Sequence, residues 1–115
     1  MERTLETLVE GFEFLEGPRW HDGRLWMSDM WGHAGRTVTE SGECEVVAEM
    51  PNRPSGLNFL PDGTLVAVSM ADRKLMRVSD TGKLTEYADL SALAQADIND
   101  SVVDSDGNIY VGNFG

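Results

Sequence analysis

Three oxygen-bearing side chains recur at a regular interval in this sequence of 115 residues: Glu16, Ser55 and Asn99 lie 39 and 44 residues apart. A carboxylate, a hydroxyl and a carboxamide all offer oxygen atoms, which hard divalent cations such as Ca²⁺, Mg²⁺ and Mn²⁺ prefer as ligands. If the fold brings the three positions to one place, they could hold such a cation. Ser55 is not expected to act as a nucleophile, because no G-x-S-x-G sequence surrounds it.

The elements that would position these residues are marked by three Asp-Gly pairs, at 22–23, 62–63 and 106–107, which are 40 and 44 residues apart. Each pair is followed by a strand-like apolar run. Asp-Gly between two such runs favours a tight hairpin turn, because glycine adopts the positive φ that the turn needs. A Ser-Gly or Thr-Gly pair and two more short β-rich runs follow the first two hairpins. Four strands every ~40–45 residues are typical of a β-propeller blade.

The repeat predicts an all-β fold, a β-propeller fragment of about two and a half four-stranded blades. Complete blades are expected over residues 16–50 and 55–90, and the first two strands of a third over 99–114. Residues 4–10 are predicted to form one further strand, and no helix is predicted. Residues 1–115 are expected to be the N-terminal part of one propeller domain. A β-sandwich is the competing all-β fold, but it does not require a repeat of this period.

In a propeller, the first strand of each blade lines the central channel, so residues at matching places form a ring around the axis. The Asp-Gly turns lie at the far end of these strands, and the second strand returns to the end where Glu16 lies. That return is expected to bring three polar residues to the same face: Asp29, Ser69 and Asn113. The segments that lead into the inner strands add a rim: Phe14, Arg53 and Asp97. Polar oxygens inside an aromatic and charged rim would make a small-molecule pocket.

Several of these residues also have purely structural explanations. Glu16 could be a solvent-facing strand residue, and Asn99 could form a turn by hydrogen bonding to its own backbone. His21 is expected to lie solvated in the turn at the far end, and His33 in a surface loop. Three aromatic residues are expected to pack between sheets: Trp20, Trp26 and Phe59.

Six segments carry a family resemblance. They are residues 16–20 (Glu-Gly-Pro-Arg-Trp), 23–29 (Gly-Arg-Leu-Trp-Met-Ser-Asp), 53–57 (Arg-Pro-Ser-Gly-Leu), 59–63 (Phe-Leu-Pro-Asp-Gly), 99–104 (Asn-Asp-Ser-Val-Val-Asp) and 110–115 (Tyr-Val-Gly-Asn-Phe-Gly). In order and spacing they resemble the SMP-30/gluconolactonase/LRE-like family, and the resemblance covers nearly the whole chain. It implies a six-bladed propeller that hydrolyses lactones with one divalent cation on the axis, which could be calcium, zinc, magnesium or manganese.

The resemblance also implies roles for individual residues. Glu16 matches the first metal-ligand glutamate of the family, and Asn99 matches the asparagine that helps to hold the substrate or a metal-bound water. Arg53 and Asp97 are assigned to substrate binding at the rim, although some relatives carry arginine at the place of Asp97. The general-base aspartate comes from a later blade, beyond Gly115, so no catalytic residue is assigned within this sequence. The implied chemistry is metal-assisted hydrolysis, with a carboxylate taking a proton from water.

The composition narrows the choice of partners, since 20 Asp and Glu against 9 Lys and Arg give a net charge of −11. An acidic chain is repelled by phosphate backbones and anionic lipids, so we expect neither nucleic acid nor a membrane as partner. Cys44 is the only cysteine, which rules out an internal disulfide. No signal peptide is recognisable, and no apolar run approaches the roughly 20 residues of a membrane helix. We therefore expect a cytoplasmic protein whose partner is a small-molecule lactone.

Six blades would need roughly 240–270 residues, so the sequence is expected to supply only part of a propeller. Repeats bury their faces against neighbours, and unpaired strand edges invite pairing with other chains. We expect little or no lactonase activity from these residues alone, and possible self-association through open strand edges. The alternatives are a non-catalytic propeller module used for binding and a fragment that assembles with copies of itself.

Overall fold

The computed structural model describes residues 2–114, which form ten β-strands and no helix. In this part of the chain there is accordingly no helix long and apolar enough to cross a membrane. The strands are β1 (Leu15–His21), β2 (Arg24–Asp29), β3 (Ala34–Val38), β4 (Cys44–Glu49), β5 (Pro54–Phe59), β6 (Leu65–Ser69), β7 (Lys74–Val78), β8 (Leu84–Asp89), β9 (Ile98–Val103) and β10 (Ile109–Asn113).

These strands form three antiparallel sheets whose order follows the chain: β1-β2-β3-β4, β5-β6-β7-β8 and β9-β10. They are named blade 1, blade 2 and blade 3. Two four-stranded meanders and a hairpin are the two complete blades and the half blade that the repeat predicts. The prediction of an all-β propeller fragment is therefore confirmed.

The Asp-Gly pairs lie in the turns between the first two strands of each blade. In blade 1, Asp22 and Gly23 have φ angles of 52° and 73°, as a two-residue type I′ turn requires. The connections of blades 2 and 3 are longer and span residues 60–64 and 104–108. The pair thus marks the turn in all three blades, while the length of the connection differs between them.

The core lies between the blades, and β6 contributes to both sides of it. Successive strand residues point to opposite faces of a sheet. Leu65 and Ala67 accordingly join a cluster with side chains of β4 in blade 1. Val66 and Val68 join a second cluster with Ile98 of blade 3. Each fully buried valine or leucine stabilises the fold by about 1.5–3 kcal/mol, so packing between blades holds the three sheets together.

Blade 2 is covered on both faces, whereas blades 1 and 3 each have an open face. β5 and β6 are buried along nearly their whole length, but burial alternates along β9. Trp20 of β1 and Val102 of β9 are 59% and 58% exposed. Alternation of this kind is expected where one face of an antiparallel sheet packs and the other stays open.

The aromatic residues near the first Asp-Gly turn follow the prediction only in part. Trp26 and Phe59 pack between blades 1 and 2, with ring centroids 4.9 Å apart. The ring of His21 stacks on Phe59 at 3.6 Å, so the expectation that His21 is solvated is wrong. Because His21 faces blade 2, its neighbour Trp20 points to the opposite face of β1. The prediction that Trp20 packs between sheets is wrong for this reason.

The strand predicted for residues 4–10 is not formed, and residues 2–14 lead into β1 without strand structure. A strand needs a partner for its backbone N–H and C=O groups, and none of the ten described strands pairs with this segment. The segment passes the turn between β3 and β4, where a Cβ on Gly42 would lie 2.9 Å from the Leu8 carbonyl oxygen. The prediction of a further strand is therefore wrong.

Candidate functional site

The three oxygen-bearing residues occupy the same place in the three inner strands. Glu16, Ser55 and Asn99 are each the second residue of β1, β5 and β9. The residue before each of them pairs with the last residue of the second strand in its blade, which is Asp29, Ser69 or Asn113. β5 packs against both β1 and β9. The prediction that these residues share one end of the inner strands is confirmed.

A β-bulge interrupts each inner strand at this level. In β5 and β9, the bulges consist of Ser55 with Gly56 and of Asn99 with Asp100, because in each case two residues lie opposite one residue of the next strand. In β1, the bulge begins directly after Glu16. Bulges redirect side chains and are over-represented next to active sites. All three residues therefore lie in a bulge or directly beside one.

A partly buried hydrogen bond joins Glu16 to the next blade. The Ser55 hydroxyl donates a hydrogen bond to Glu16 Oε1, and Ser55 itself is fully buried. The Ser28 hydroxyl donates to the Ser55 carbonyl oxygen over 2.5 Å. Gly17 permits this close approach, because a Cβ there would lie 2.7 Å from the same carbonyl oxygen. The Glu16 carboxylate is therefore fixed by contacts between blades 1 and 2.

The Asn99 side chain presents an acceptor that the protein leaves unsatisfied. Among residues 2–114, Asn99 Oδ1 is one of three buried polar side-chain atoms without a hydrogen-bond partner; the other two are Arg36 Nε and Asn58 Oδ1. A buried acceptor of this kind costs about 1–3 kcal/mol unless a ligand or water satisfies it. A water molecule or ligand that reaches Asn99 Oδ1 would remove this cost, as one at Asn58 Oδ1 would.

The donor set fits a hard cation better than a soft one. Glu16 and Asn99 offer only oxygen atoms, which suit Ca²⁺, Mg²⁺ or Mn²⁺. In the described part of the chain, no group of three or more His, Cys, Asp and Glu side chains converges. The candidate oxygen ligands are therefore one carboxylate, one carboxamide and the Ser55 hydroxyl that lies between them in blade order.

The rim residues Arg53 and Asp97 are brought together as an ion pair. Arg53 Nη2 donates to Asp97 Oδ2 across 44 residues of sequence, and both side chains are partly buried. The guanidinium of Arg53 also lies 5.5 Å from the centre of the Trp31 ring, within the range of a cation–π contact. Trp31, Arg53 and Asp97 therefore form one continuous rim across blades 1, 2 and 3.

The backbone repeats one hydrogen bond at this rim in all three blades. The carbonyl oxygens of the three residues that lead into the inner strands accept from the N–H group that follows each second strand, over 2.8–3.0 Å. The pairs are Phe14 with Met30, Arg53 with Met70, and Asp97 with Phe114. The equivalence that the sequence predicts for Phe14, Arg53 and Asp97 is confirmed at this level.

Asp29, at the same end, has a structural role that the sequence did not reveal. Its buried carboxylate accepts hydrogen bonds from the backbone N–H groups of Glu13, Phe14 and Gly32 over 2.8–3.1 Å. Burial raises the pKa of Asp29, but these three hydrogen bonds and the charge of Arg36 outweigh burial and hold the pKa below its usual value. Through these hydrogen bonds, Asp29 connects the segment before β1 to the turn after β2.

Arg19 is a second residue whose role the sequence did not reveal. Its Nη2 donates to the Ser101 carbonyl oxygen over 2.6 Å and to Asp100 Oδ1 over 3.1 Å. Arg19 lies in β1 and its partners in β9, so the guanidinium links blade 1 to blade 3. The only sequence feature that drew attention to Arg19 was its place in the segment 16–20. Its partners lie 81 and 82 residues away, so no short motif could predict the contact.

A family model described as "SMP-30/Gluconolactonase/LRE-like region" matches residues 14–115. This match covers most of the chain and begins directly before β1. No curated protein matches the chain significantly.

Several solved structures share the fold. A gluconolactonase from Xanthomonas campestris has a TM-score of 0.80 and 22% identity over 93% of this chain. A calcium-binding protein, regucalcin, from Agrobacterium tumefaciens has a TM-score of 0.67 and 22% identity over 89%. A virginiamycin B lyase from Staphylococcus aureus has a TM-score of 0.72 and 17% identity over 86%. At these identities the likeness concerns the fold.

The matched structures are longer than this chain. It spans 37% of the gluconolactonase, 37% of regucalcin and 34% of the lyase. The shared part corresponds to blades 1 to 3.

Proposed function

Because the chain belongs to the SMP-30/gluconolactonase/LRE-like family, we propose that it supplies one side of the axial site of a metal-dependent lactonase. The substrate class is a small-molecule lactone, and the cofactor is one divalent cation. Calcium is the first cation to test, since regucalcin, which shares the fold, is described as calcium-binding. A cytoplasmic location is part of this proposal and rests on the sequence.

The observation that supports this proposal is the alignment of Glu16, Ser55 and Asn99 across three neighbouring inner strands. Glu16 is held by a hydrogen bond from the next blade, and Asn99 Oδ1 is buried without a partner. A carboxylate that is fixed in place and an unpaired carboxamide oxygen are both oxygen ligands of the kind that a hard cation prefers.

Each residue then has a distinct task. Glu16 holds the cation, with its orientation set by Ser55. Asn99 holds the substrate or a water molecule beside the cation. Arg53 and Asp97, joined as an ion pair, border the place where the lactone binds. When bound, a divalent cation supplies Lewis-acid chemistry: it polarises an ester carbonyl and lowers the pKa of a water molecule.

We further propose that residues 1–115 alone hydrolyse lactones slowly or not at all. The family resemblance assigns the general base to a position that these residues do not include, and proton transfer by such a base typically contributes 10²–10⁴-fold in rate, by a rough estimate. Hydrolysis of a simple lactone by the 115-residue protein at rates typical of enzymes would contradict this part of the proposal.

A chimera tests the lactonase proposal directly. The part of the Xanthomonas campestris gluconolactonase that matches this chain is replaced by these 115 residues, and hydrolysis of a gluconolactone is followed with calcium added. We expect cation-dependent turnover that is lost on Glu16→Gln and kept on Glu40→Gln, which alters an exposed carboxylate in the turn after β3. A chimera that unfolds cooperatively and binds calcium but leaves the lactone intact would contradict the proposal.

The open faces of blades 1 and 3 favour a second candidate, a module that associates with copies of itself. Trp20 on one side and Val102 with Tyr110 on the other are 58–59% exposed, and large exposed apolar residues on sheets favour association. Sedimentation velocity of the 115-residue protein tests this. A species larger than the monomer whose proportion rises with concentration is expected, and a monomer at every concentration would exclude it.

A further inference from the structure

Gly112 of β10 lies directly opposite the bulge that contains Asn99. In blade 3, the residues Asn99 and Asp100 face Gly112 alone across the β9–β10 pair. A Cβ built on Gly112 would lie 2.7 Å from Asn99 Oδ1, 3.7 Å from Asn99 Cγ and 3.8 Å from the Asp100 carbonyl oxygen. The first distance is shorter than any ordinary contact of a Cβ atom, so a Cβ at position 112 would require the Asn99 carboxamide to move.

Blade 2 shows the opposite combination of sizes. In β5 the bulge residue is Ser55, and the residue opposite the bulge is Val68. A short side chain therefore faces a large one in blade 2, whereas the longer Asn99 faces glycine in blade 3. Gly112 is not among the residues with positive φ, so its backbone does not demand glycine. The reason for glycine is the room that it leaves for the Asn99 carboxamide.

We propose that Gly112 is a positioning residue for Asn99. Because Gly112 lacks a Cβ, the Asn99 oxygen can lie where it binds a cation or accepts a hydrogen bond from a hydroxyl group of the substrate. The expected effect of Gly112 on ligand binding rests on the proposed function. The steric relation between Gly112 and Asn99 rests only on the pairing of β9 with β10. A methyl group at position 112 would push the Asn99 carboxamide aside and remove the buried, unpaired oxygen from its place.

The test compares five forms of the 115-residue protein: wild type, Gly112→Ala, Gly35→Ala, Asn99→Ser/Gly112→Ala and Glu16→Gln, which serves as the reference for lost calcium binding. Gly35, in β3, is the matched control, because a Cβ there meets no atom within 4 Å and its φ is not positive. The double variant combines a short side chain at 99 with the added methyl group, in the manner of Ser55 and Val68. Thermal unfolding is measured without metal, and calcium chloride is titrated by calorimetry.

Without metal, we expect Gly112→Ala to lower the melting temperature, Gly35→Ala to lower it less, and the double variant to recover the loss. With calcium, Gly112→Ala should bind about tenfold more weakly than wild type, as is usual when the residues that orient a ligand are changed. Gly35→Ala should bind as wild type does, and the double variant should bind weakly although it is stable. Recovery of stability in the double variant would show that the added methyl group clashes with the Asn99 side chain. Weaker calcium binding by Gly112→Ala, which keeps Asn99, than by Gly35→Ala distinguishes positioning from a merely structural role.

Two results would overturn the inference. One is a Gly112→Ala protein with the calcium affinity of wild type while Glu16→Gln has lost binding, since the site then works without glycine at 112. The other is a loss of stability that the Asn99→Ser change does not relieve. If wild type itself fails to bind calcium while the stability pattern appears as expected, the proposed metal dependence fails and the positioning of Asn99 by Gly112 is supported.

Discussion

The Ser55 hydroxyl of β5 donates a hydrogen bond to the Glu16 carboxylate of β1, although 39 residues separate the two in the chain. The contact places equivalent positions of two successive blades side by side at one end of the inner strands. The Glu16 carboxylate is therefore oriented before any ligand arrives. Functional groups held in this way by a second layer of contacts act with less loss of conformational freedom on binding.

Removal of the Ser55 hydroxyl is expected to loosen Glu16. Ser55→Ala should weaken calcium binding about tenfold, because the carboxylate loses the donor that orients it. Ser55→Thr keeps a hydroxyl and should retain more of the affinity. Calorimetric titration with calcium chloride measures both variants. Equal affinity of Ser55→Ala and wild type would show that the hydrogen bond does not position Glu16 for the cation.

Loss of the Asp29 charge is expected to destabilise the fold in a pH-dependent way. The pKa of Asp29 in the folded protein lies below its ordinary value of 3.8, so the folded state binds this proton less readily than the unfolded state. The stabilisation is complete above that ordinary value and is lost as the pH falls through the lower, folded-state pKa. Asp29→Asn should cost about 1–3 kcal/mol near neutral pH.

Urea unfolding of Asp29→Asn and wild type at several pH values checks this. The difference in unfolding free energy should shrink as the medium becomes strongly acidic. Asp22→Asn, in the exposed turn after β1, is the control and should differ little from wild type. A difference that does not change with pH would mean that the Asp29 carboxylate stabilises the fold other than by its charge.

The packing between blades should be sensitive to the loss of one leucine. Leu57 of β5 is 2% exposed in the cluster between blades 1 and 2, whereas Leu5 is fully exposed. Leu57→Ala is expected to cost about 2–5 kcal/mol of unfolding free energy, and Leu5→Ala within about 0.5 kcal/mol. Chemical denaturation of both variants provides the comparison. Similar small losses in both would mean that the blades do not share a core.

The ion pair between Arg53 and Asp97 should contribute modestly to stability. The two side chains are 27% and 35% exposed, so solvent screens their attraction, and a coupling of about 0.5–1 kcal/mol is expected. A double-mutant cycle with Arg53→Ala and Asp97→Ala measures it, and added salt should reduce it. A coupling near zero at low salt would indicate that the two rim residues act independently.

The sequence was sufficient for features that depend on local chemistry or on the repeat. The Asp-Gly turns, the four-strand order and the shared place of Glu16, Ser55 and Asn99 all follow from short motifs at a fixed period. Features that depend on which face of a strand packs against a neighbouring blade could not be predicted from the sequence. His21 and Trp20 illustrate this, since adjacent residues of β1 face opposite sides and only the position of blade 2 decides which one is covered.

Some features of the candidate site could likewise be predicted from the sequence, and others could not. Glu16 and Asn99 could be singled out from their spacing and from the family resemblance. The room that Gly112 leaves for Asn99 could not, because a bulge is defined by the pairing of two strands and not by either strand alone. The link from Arg19 to Ser101, across 82 residues, likewise exists only once three blades are assembled.

In the proposed function, Glu16 holds a divalent cation at the axial end of the inner strands. Titration of calcium chloride into the 115-residue protein, with Glu40→Gln as control, measures this binding. We expect wild type and Glu40→Gln to bind one calcium ion with similar affinity, and Glu16→Gln to bind at least about tenfold more weakly. Binding by Glu16→Gln as tight as that of wild type, or no binding by wild type, would contradict the claim.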